Sequence, residues 1–285
     1  MTDSQTISII IVNHRADDIL DECLKHIAAG AGNLILEIII IDNPPISSPK
    51  DYSGMFDFRI ARVSTQKNIG FATACNLGAS NSSGDYLLFL NPDLLVSDNT
   101  IEALYQALIK YAANGIVTGK LIGRDGEFQP SCRRFPTLKN VLFSRGSILR
   151  KFLNPAQSIY TYPDSDEIME MEAAAAALMM ISRDVFEKLS GFDESFFMYF
   201  EDTDLCYRVS KLGGKVLYVP WASGKHYWGY STKRYRFRRI FWQHRSALLY
   251  FFKHFSRFRT AIILFPILSI NCFLSLSVEL FRFRR

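Results

Sequence analysis

The sequence is poor in the marks of several common protein classes. Its five cysteines, Cys23, Cys75, Cys132, Cys206 and Cys272, are scattered through 285 residues without a paired CxxC spacing. No charged-then-apolar leader opens the chain, so a reducing, cytoplasmic setting is expected. In that setting the glycosylation-type triplet Asn81-Ser82-Ser83 carries no meaning. There is no GxGxxG, and the first apolar run is followed by Asn13-His14-Arg15-Ala16 rather than a glycine-rich loop. A dinucleotide fold and the usual nucleotidyltransferase opening are therefore disfavoured. Acids are nearly absent from one end. From Lys225 to Arg285 only Glu279 stands against thirteen Lys/Arg, whereas the remainder has twenty Lys/Arg against twenty-seven acids, within a net charge of +5. An acidic body with a basic, aromatic tail is expected to present that tail to an anionic partner, a membrane surface or a nucleic acid.

What is present is enough apolar material, 48% of residues, to bury a full core as one large domain or one domain with an appendage. Three continuous apolar runs, Ser8–Val12, Leu36–Ile41 and Tyr86–Leu90, read as strands covered on both faces. Each stops at polar residues: Asn13-His14-Arg15, then Asp42-Asn43-Pro44, then Asn91-Pro92-Asp93. Ligands of open α/β sheets bind beyond the carboxyl ends of strands, so Asp42 and Asp93 are candidate site residues. A carboxylate at Asp93 can hold a divalent cation against phosphate oxygens, although Asn-Pro-Asp is also an ordinary turn sequence.

Between these strands, Leu20, Leu24 and Ile27 give a helix capped by Asp17 or Asp18. Arg59–Val63 reads as a strand, and 68–78 as a helix with small residues on one face, capped by Asn68. A further helix, capped by Ser97 or Asp98, runs through Leu104 and Leu108. The order β-α-β-β-α-β-α is that of a nucleotide-binding half-sheet. Regularity fails from Gly123 to Glu170, where Arg133-Arg134-Phe135-Pro136 and Asn154-Pro155 interrupt it. Met171–Ile181 fits either strand or helix. A helix striped by Leu205, Val209 and Leu212 then begins at Glu201, Asp202 and Asp204, just after the aromatic run Phe196–Phe200. One acid would satisfy the helix dipole. Three beside an apolar wall suggest a carboxylate whose pKa burial could raise towards base duty. A strand over Lys215–Val219 leads past Pro220 to His226-Tyr227-Trp228-Gly229.

Taken together these motifs resemble the inverting glycosyltransferases of family 2, with the GT-A fold, and more narrowly their bacterial rhamnosyltransferase-like branch. The similarity runs from about Ser8 to about Ser231. It implies an open, mostly parallel nucleotide-binding sheet flanked by helices. It also implies donor contacts at Asn13, Asp42, Asn68, Gly70, Asn76, Asn91 and Asp93, with Asn-Pro-Asp in the place of the metal-binding DxD. By the same resemblance the acidic pair gives Asp202 as general base with Glu201 behind it, Glu172, Glu201 and Trp228 lie on the acceptor side, and His226 joins Asp93 on a divalent metal. An imidazole there favours Mn2+ over Mg2+. Two positions depart from the family pattern. Asn13-His14-Arg15 replaces the usual Asn-Tyr-Asn, and Glu172-Ala173 replaces an Asp-Trp whose Trp would stack on a sugar.

The expected organisation is a catalytic domain over 1–230, with a donor half to about 122 and an acceptor half over 123–230, followed by a helical extension over 231–285. The expected reaction moves L-rhamnose from dTDP-rhamnose to a lipid-linked saccharide in polysaccharide or O-antigen assembly, with UDP-hexose or UDP-galactofuranose as alternative donors. The uncharged stretch Ala261–Val278 is interrupted by Pro266 and Asn271. A helix lying in the membrane plane, at the inner face of the plasma membrane, is therefore expected ahead of a spanning one. A hairpin packed on the body, or a dimer contact, is the alternative. A nucleic-acid-binding reading of the tail lacks any recognised module, and the acidic body opposes it.

Overall fold

The computed structural model describes residues 6–31, 34–47, 49–137, 161–227 and 236–283. Three parallel neighbours open the sheet: β1 (Thr6–Asn13) pairs with β2 (Ile35–Asp42), and β2 with β3 (Arg59–Ser64). On its other side β1 pairs in parallel with β4 (Tyr86–Leu90). Beyond β4 lie β11 (Leu178–Ser182), β6 (Ile116–Ile122), β12 (Val216–His226) and β5 (Leu94–Val96), giving the order β3-β2-β1-β4-β11-β6-β12-β5. β11 is antiparallel to β4 and β6, β12 is parallel to β6, and β5 is antiparallel to β12. Six of these eight strands therefore run one way, and their carboxyl ends share one edge.

The alternation of β1 divides the core. Ile7, Ile9 and Ile11 face helices α1 (Asp17–Gly30) and α3 (Thr100–Tyr111), packing with Leu20, Leu24, Leu104 and Leu108. Ile10 and Val12 face α2 (Phe71–Ser80), α4 (Arg183–Lys188) and α5 (Glu201–Lys211), packing with Ala74, Phe186 and Leu205. Period two along a strand thus builds two apolar layers from one run. Ile10→Ala or Leu24→Ala should each cost about 2–5 kcal/mol, the range for truncating a well-packed core side chain. Small residues let α2 come close: a Cβ on Gly78 would stand 2.3 Å from Cγ2 of Ile10.

Several local expectations change. α2 is capped at Gly70, not Asn68; Asn68 Oδ1 accepts the Gly70 N–H at 3.0 Å and shapes the turn before the helix. α3 starts after Asn99 rather than at Ser97 or Asp98, and Ala16 rather than Asp17 precedes α1, its N–H bonded to Asn13 Oδ1 at 3.0 Å. Leu212 leaves the α5 stripe because the helix has ended there, and it is 48% exposed. Met171–Ile181 is neither one strand nor one helix: β9 (Met169–Met171), β10 (Ala173–Ala174) and β11 divide it. Cys132–Arg133 forms β8, which pairs antiparallel with β10. A short β7 (Phe128–Gln129) edges β6.

β12 does not stop at Pro220. Its register on β6 jumps between Val219 and Ser223, so the proline, which has no N–H to give, sits in an irregularity and the strand resumes to His226. After the residues outside the description, α6 (Arg236–His254) packs on the catalytic body. It leads through a π-helical turn, Thr260–Leu264, to α7 (Phe265–Phe283), which folds back on α6. Phe196 shares a buried cluster with Ala247, Tyr250, Phe251, Leu264 and Leu268, so part of the extension is core.

Candidate functional site

Asn13, Asp42 and Asp93 follow adjacent parallel strands and stand at one edge of the sheet. Asp42 is fully buried, and both of its oxygens are engaged. Arg62 donates Nε to Oδ2 at 2.7 Å and Nη2 to Oδ1 at 2.9 Å, while Asn13 Nδ2 adds 2.8 Å to Oδ1. The same guanidinium reaches Asp17 Oδ1 at 2.6 Å. A bidentate fork of this kind fixes direction as well as charge. Sequence reading missed Arg62, whose only trace was a cation in β3, level with Ile40 and two residues before Ser64, the partner of Asp42. Next to it, Asn43 ties this edge to α2, accepting the Ile69 N–H at 2.8 Å and donating to the Gly70 carbonyl at 2.9 Å. Gly70 has φ +88, and a Cβ there would meet the Phe197 carbonyl oxygen at 2.6 Å. Asn76 holds the loop before α5: its amide donates to the Phe192 carbonyl and to Glu194 Oε1, both at 2.9 Å, and accepts the Phe192 N–H at 2.9 Å. Its geometry is therefore that of a loop anchor.

The bulged end of β12 brings His226 to Asp93. Nε2 lies 3.4 Å from Asp93 Oδ1 and 3.3 Å from Asn91 Nδ2, and both His226 and Asp93 are 5% exposed. Nδ1 of His226 is buried with no hydrogen-bond partner among the described residues. Among the described residues no group of three His, Cys, Asp or Glu side chains is placed to hold a metal ion.

Beyond β4, β10 leads into β11, whose first residue is in register with Leu90, the last of β4. β8 pairs with β10, and Arg133 of β8 forms an ion pair with Asp202, so the start of α5 lies at the same sheet edge. Asp202 Oδ1 takes that guanidinium together with the Thr203 N–H at 2.6 Å and the Thr203 hydroxyl at 3.1 Å. Oδ2 receives no hydrogen bond among the described residues. Arg133 also donates Nε to the Thr203 hydroxyl at 3.0 Å. Glu201 differs sharply. It is 5% exposed, its Oε2 has no partner among the described residues, and burial, with the Asp202 charge adding to it, pushes its pKa up to about 8. Glu172 accepts the Phe135 N–H and faces Arg134 at 3.7 Å, which anchors the strand-to-loop exit rather than α5. Trp228 lies outside the described residues.

Residues 8–189 match the model of the family described as glycosyl transferase family 2. The chain belongs to that family. Rhamnosyltransferase WbbL of Escherichia coli K12 is 27% identical over 255 residues, 85% of this chain and 91% of that one. The N-acetylglucosaminyl-diphospho-decaprenol L-rhamnosyltransferase of Mycobacterium tuberculosis is 29% identical over 201 residues, 65% of this chain and 64% of its relative. These relatives support the rhamnosyltransferase-like branch. Among solved structures, mannosyltransferase PcManGT from Pyrobaculum calidifontis, in complex with GDP-Man and Mn2+, gives a TM-score of 0.55 at 15% identity, covering 97% of this chain and 73% of that one. GalNAc-T7 with UDP, GalNAc and Mn2+ gives 0.59 at 18%, covering 79% and 43%. The fold is therefore GT-A, as the motifs implied, and the family 2 chain is a glycosyltransferase.

The donor set of this family 2 site fits a divalent cation. Asp93 Oδ1 and His226 Nε2 face each other at 3.4 Å, beyond an ordinary hydrogen bond and within the span a shared cation would bridge. Two protein ligands suffice where substrate phosphates and water complete the shell.

Proposed function

We propose that the protein transfers L-rhamnose from dTDP-rhamnose to a lipid-linked saccharide, with inversion at the anomeric carbon, during cell-surface polysaccharide assembly. The donor sugar and the lipid-borne acceptor rest on the relatives named above. The chemistry is supported by one observation: Asp202 is anchored through Oδ1, with no bond to Oδ2 among the described residues, and its partner Arg133 lies in the strand that pairs with β10.

Asp202 Oδ2 takes the proton of the acceptor hydroxyl as that oxygen attacks the anomeric carbon, and the bond from that carbon to the diphosphate breaks. Arg133 sustains the negative charge on the base before transfer. Glu201, whose pKa burial raises, is the second candidate for the role, and Glu201→Gln beside Asp202→Asn separates the two. Asp93 and His226 would hold a divalent ion, Mn2+ by preference for the imidazole, supplying positive charge to the leaving diphosphate. Asp42 and Arg62 stand where the nucleoside would lie, with Asn13, Asn68, Gly70, Asn76 and Asn91 shaping that half of the cleft. Glu172 stays on the acceptor side as an anchor of the loop over 134–135.

An anionic membrane surface is the partner that suits the extension. Thr260–Leu280 is a 21-residue stretch long and apolar enough to cross a bilayer, and Phe258 and Phe273 are 73% and 70% exposed. Basic residues flank it, including Arg257 and Arg282. An in-plane helix at the inner face of the plasma membrane would put the cleft beside a polyprenyl-borne acceptor.

Replacing Asp202 with Asn should lower transfer by about 10²–10⁴-fold, the usual share of a general base, while donor affinity changes by no more than a few-fold. Turnover at the wild-type rate would remove Asp202 from the role. Thermal stabilisation by dTDP-rhamnose with Mn2+, set against UDP-glucose and UDP-galactofuranose, checks the donor; stabilisation by a UDP-sugar alone would overturn the rhamnosyl assignment.

A further inference from the structure

Helix α6 has one face spent almost entirely on the segment that leads into the acid pair. Arg239, Trp242, Ser246, Tyr250 and Lys253 recur at three or four residues, the spacing of a single helical stripe. Arg239 bonds the Tyr199 side chain. Trp242 stacks on Phe197, with ring centroids 4.4 Å apart. The Ser246 hydroxyl donates to the Met198 carbonyl at 2.8 Å, and its neighbour Arg245 donates to the Ser195 carbonyl at 3.0 Å. The Tyr250 ring meets that of Phe200 at 5.7 Å. At the far end Lys253 reaches Asp193 at 2.5 Å and Asp204 at 2.8 Å, and His254 Nε2 lies 2.7 Å from Asp204 Oδ1.

Asp204 is the centre of this contact. It is fully buried inside α5, two residues after Asp202, and its other oxygen takes Arg208 Nε at 2.7 Å. A dipole-favoured acid at a helix start has no need of a second helix to neutralise it. The segment so held also contains two consecutive bulky residues, Tyr199 and Phe200, with φ of +68 and +69, immediately before Glu201. Side chains of that size avoid this region, and they persist in it where the surroundings over-determine them. Here α6 packs against both.

We propose that α6 is a positioning element of the transferase, a clamp that fixes the angle at which α5 presents Asp202 and Glu201, with Lys253 and His254 on Asp204 as its pin. This rests on the reading of Asp202 as the base. The clamp acts through Asp204 and the backbone of 193–200, and none of its residues need touch substrate.

The test uses the full chain and three variants: Lys253→Met with His254→Leu, Trp242→Ala, and the conservative Lys253→Arg, with Asp202→Asn alongside. Hydrogen exchange is followed at 193–204 and at β1 and β4, together with kcat, acceptor KM and dTDP-rhamnose affinity. The clamp predicts exchange at least tenfold faster in 193–204 alone and kcat at least tenfold lower, with donor affinity and sheet protection unchanged and Lys253→Arg close to wild type. Wild-type kcat and exchange in the double variant and in Trp242→Ala would overturn it. So would protection lost equally in the sheet, which marks a general loss of stability. If the double variant does not fold, Trp242→Ala decides alone. Retained turnover in Asp202→Asn overturns the base assignment separately, and the clamp is then judged on the exchange pattern.

Discussion

The end of β2 and the start of α5 solve the burial of charge in opposite ways. At the end of β2 Asp42 is sealed from water with every oxygen engaged, by a guanidinium and an amide that arrive from neighbouring strands. At the start of α5 Glu201 is almost as deeply sealed, and among the described residues it has an oxygen left bare and Asp202 is tied through Oδ1 alone. A satisfied network is rigid and costly to break, whereas an unsatisfied carboxyl keeps its proton and its options. The Asp42 end is thus a finished socket. The start of α5 instead holds its acids through backbone of positive φ at Tyr199 and Phe200 and through a helix from the far end of the chain.

The largest effect that separates the two is expected at Arg62. Arg62→Met leaves Asp42 buried without its partner and should cost about 3–5 kcal/mol of stability, seen as a lower denaturation midpoint. A change below about 1 kcal/mol would mean that the socket is not held by this pair. Next comes Glu201→Gln. The folded-state pKa near 8 lies above that of an unfolded glutamate, so the folded protein binds the proton more tightly, and stability falls as pH rises from about 4.5 to 8. The variant has no proton to lose. Wild type and variant should therefore differ by a constant amount below about pH 4.5, and the variant should gain on wild type by a few kcal/mol by about pH 9, since each pH step between the unfolded and folded pKa values is worth about 1.4 kcal/mol. Thermal melts across that range check it, and parallel curves would contradict the buried, protonated state. The smallest effect on stability is expected from Phe258→Ser with Phe273→Ser: within about 0.5 kcal/mol, since both rings are exposed, but with weaker sedimentation on anionic vesicles. Unchanged vesicle binding would count against the membrane partner.

The same contrast explains what could be read from the sequence. β1, β2 and β4 announce themselves as apolar runs ending in carboxylates or amides, because a strand buried on both faces has no room for anything else. That logic placed Asn13, Asp42 and Asp93 at one edge. It also reached His226, but only through family resemblance, since the bulge at Pro220 hides the rest of β12 from a periodicity reading. Arg133 could not be paired with Asp202, because the partner of a short strand in an irregular stretch is set by long-range folding. The tail was the hardest. Its basic residues suggested an external anionic partner, yet Lys253 neutralises the protein's own Asp193 and Asp204, and against the opposing effect of burial it holds Asp193 at about 2. An amphipathic helix written for a membrane and one written for a neighbouring loop use the same alphabet. The expected junction near residue 230 falls outside the described residues.

Four of the five thiols lie in the two apolar layers, Cys23 on one face of the sheet and Cys75, Cys132 and Cys206 on the other. Cys23 lies 3.9 Å from the Asn91 carbonyl, Cys75 feels the Glu201 carboxyl, Cys132 precedes Arg133 in β8, and Cys206 lies 3.9 Å from the Ala174 carbonyl. All four are buried, and burial pushes Cys132 and Cys206 up to about 12. Alkylating reagents, whose target is the thiolate, are therefore expected to leave them unmodified in the native molecule. The protein therefore carries built-in reporters: modification of Cys75 marks loosening beside the acid pair, and modification of Cys23 marks loosening beneath the Asn91 turn, with no label engineered into either place.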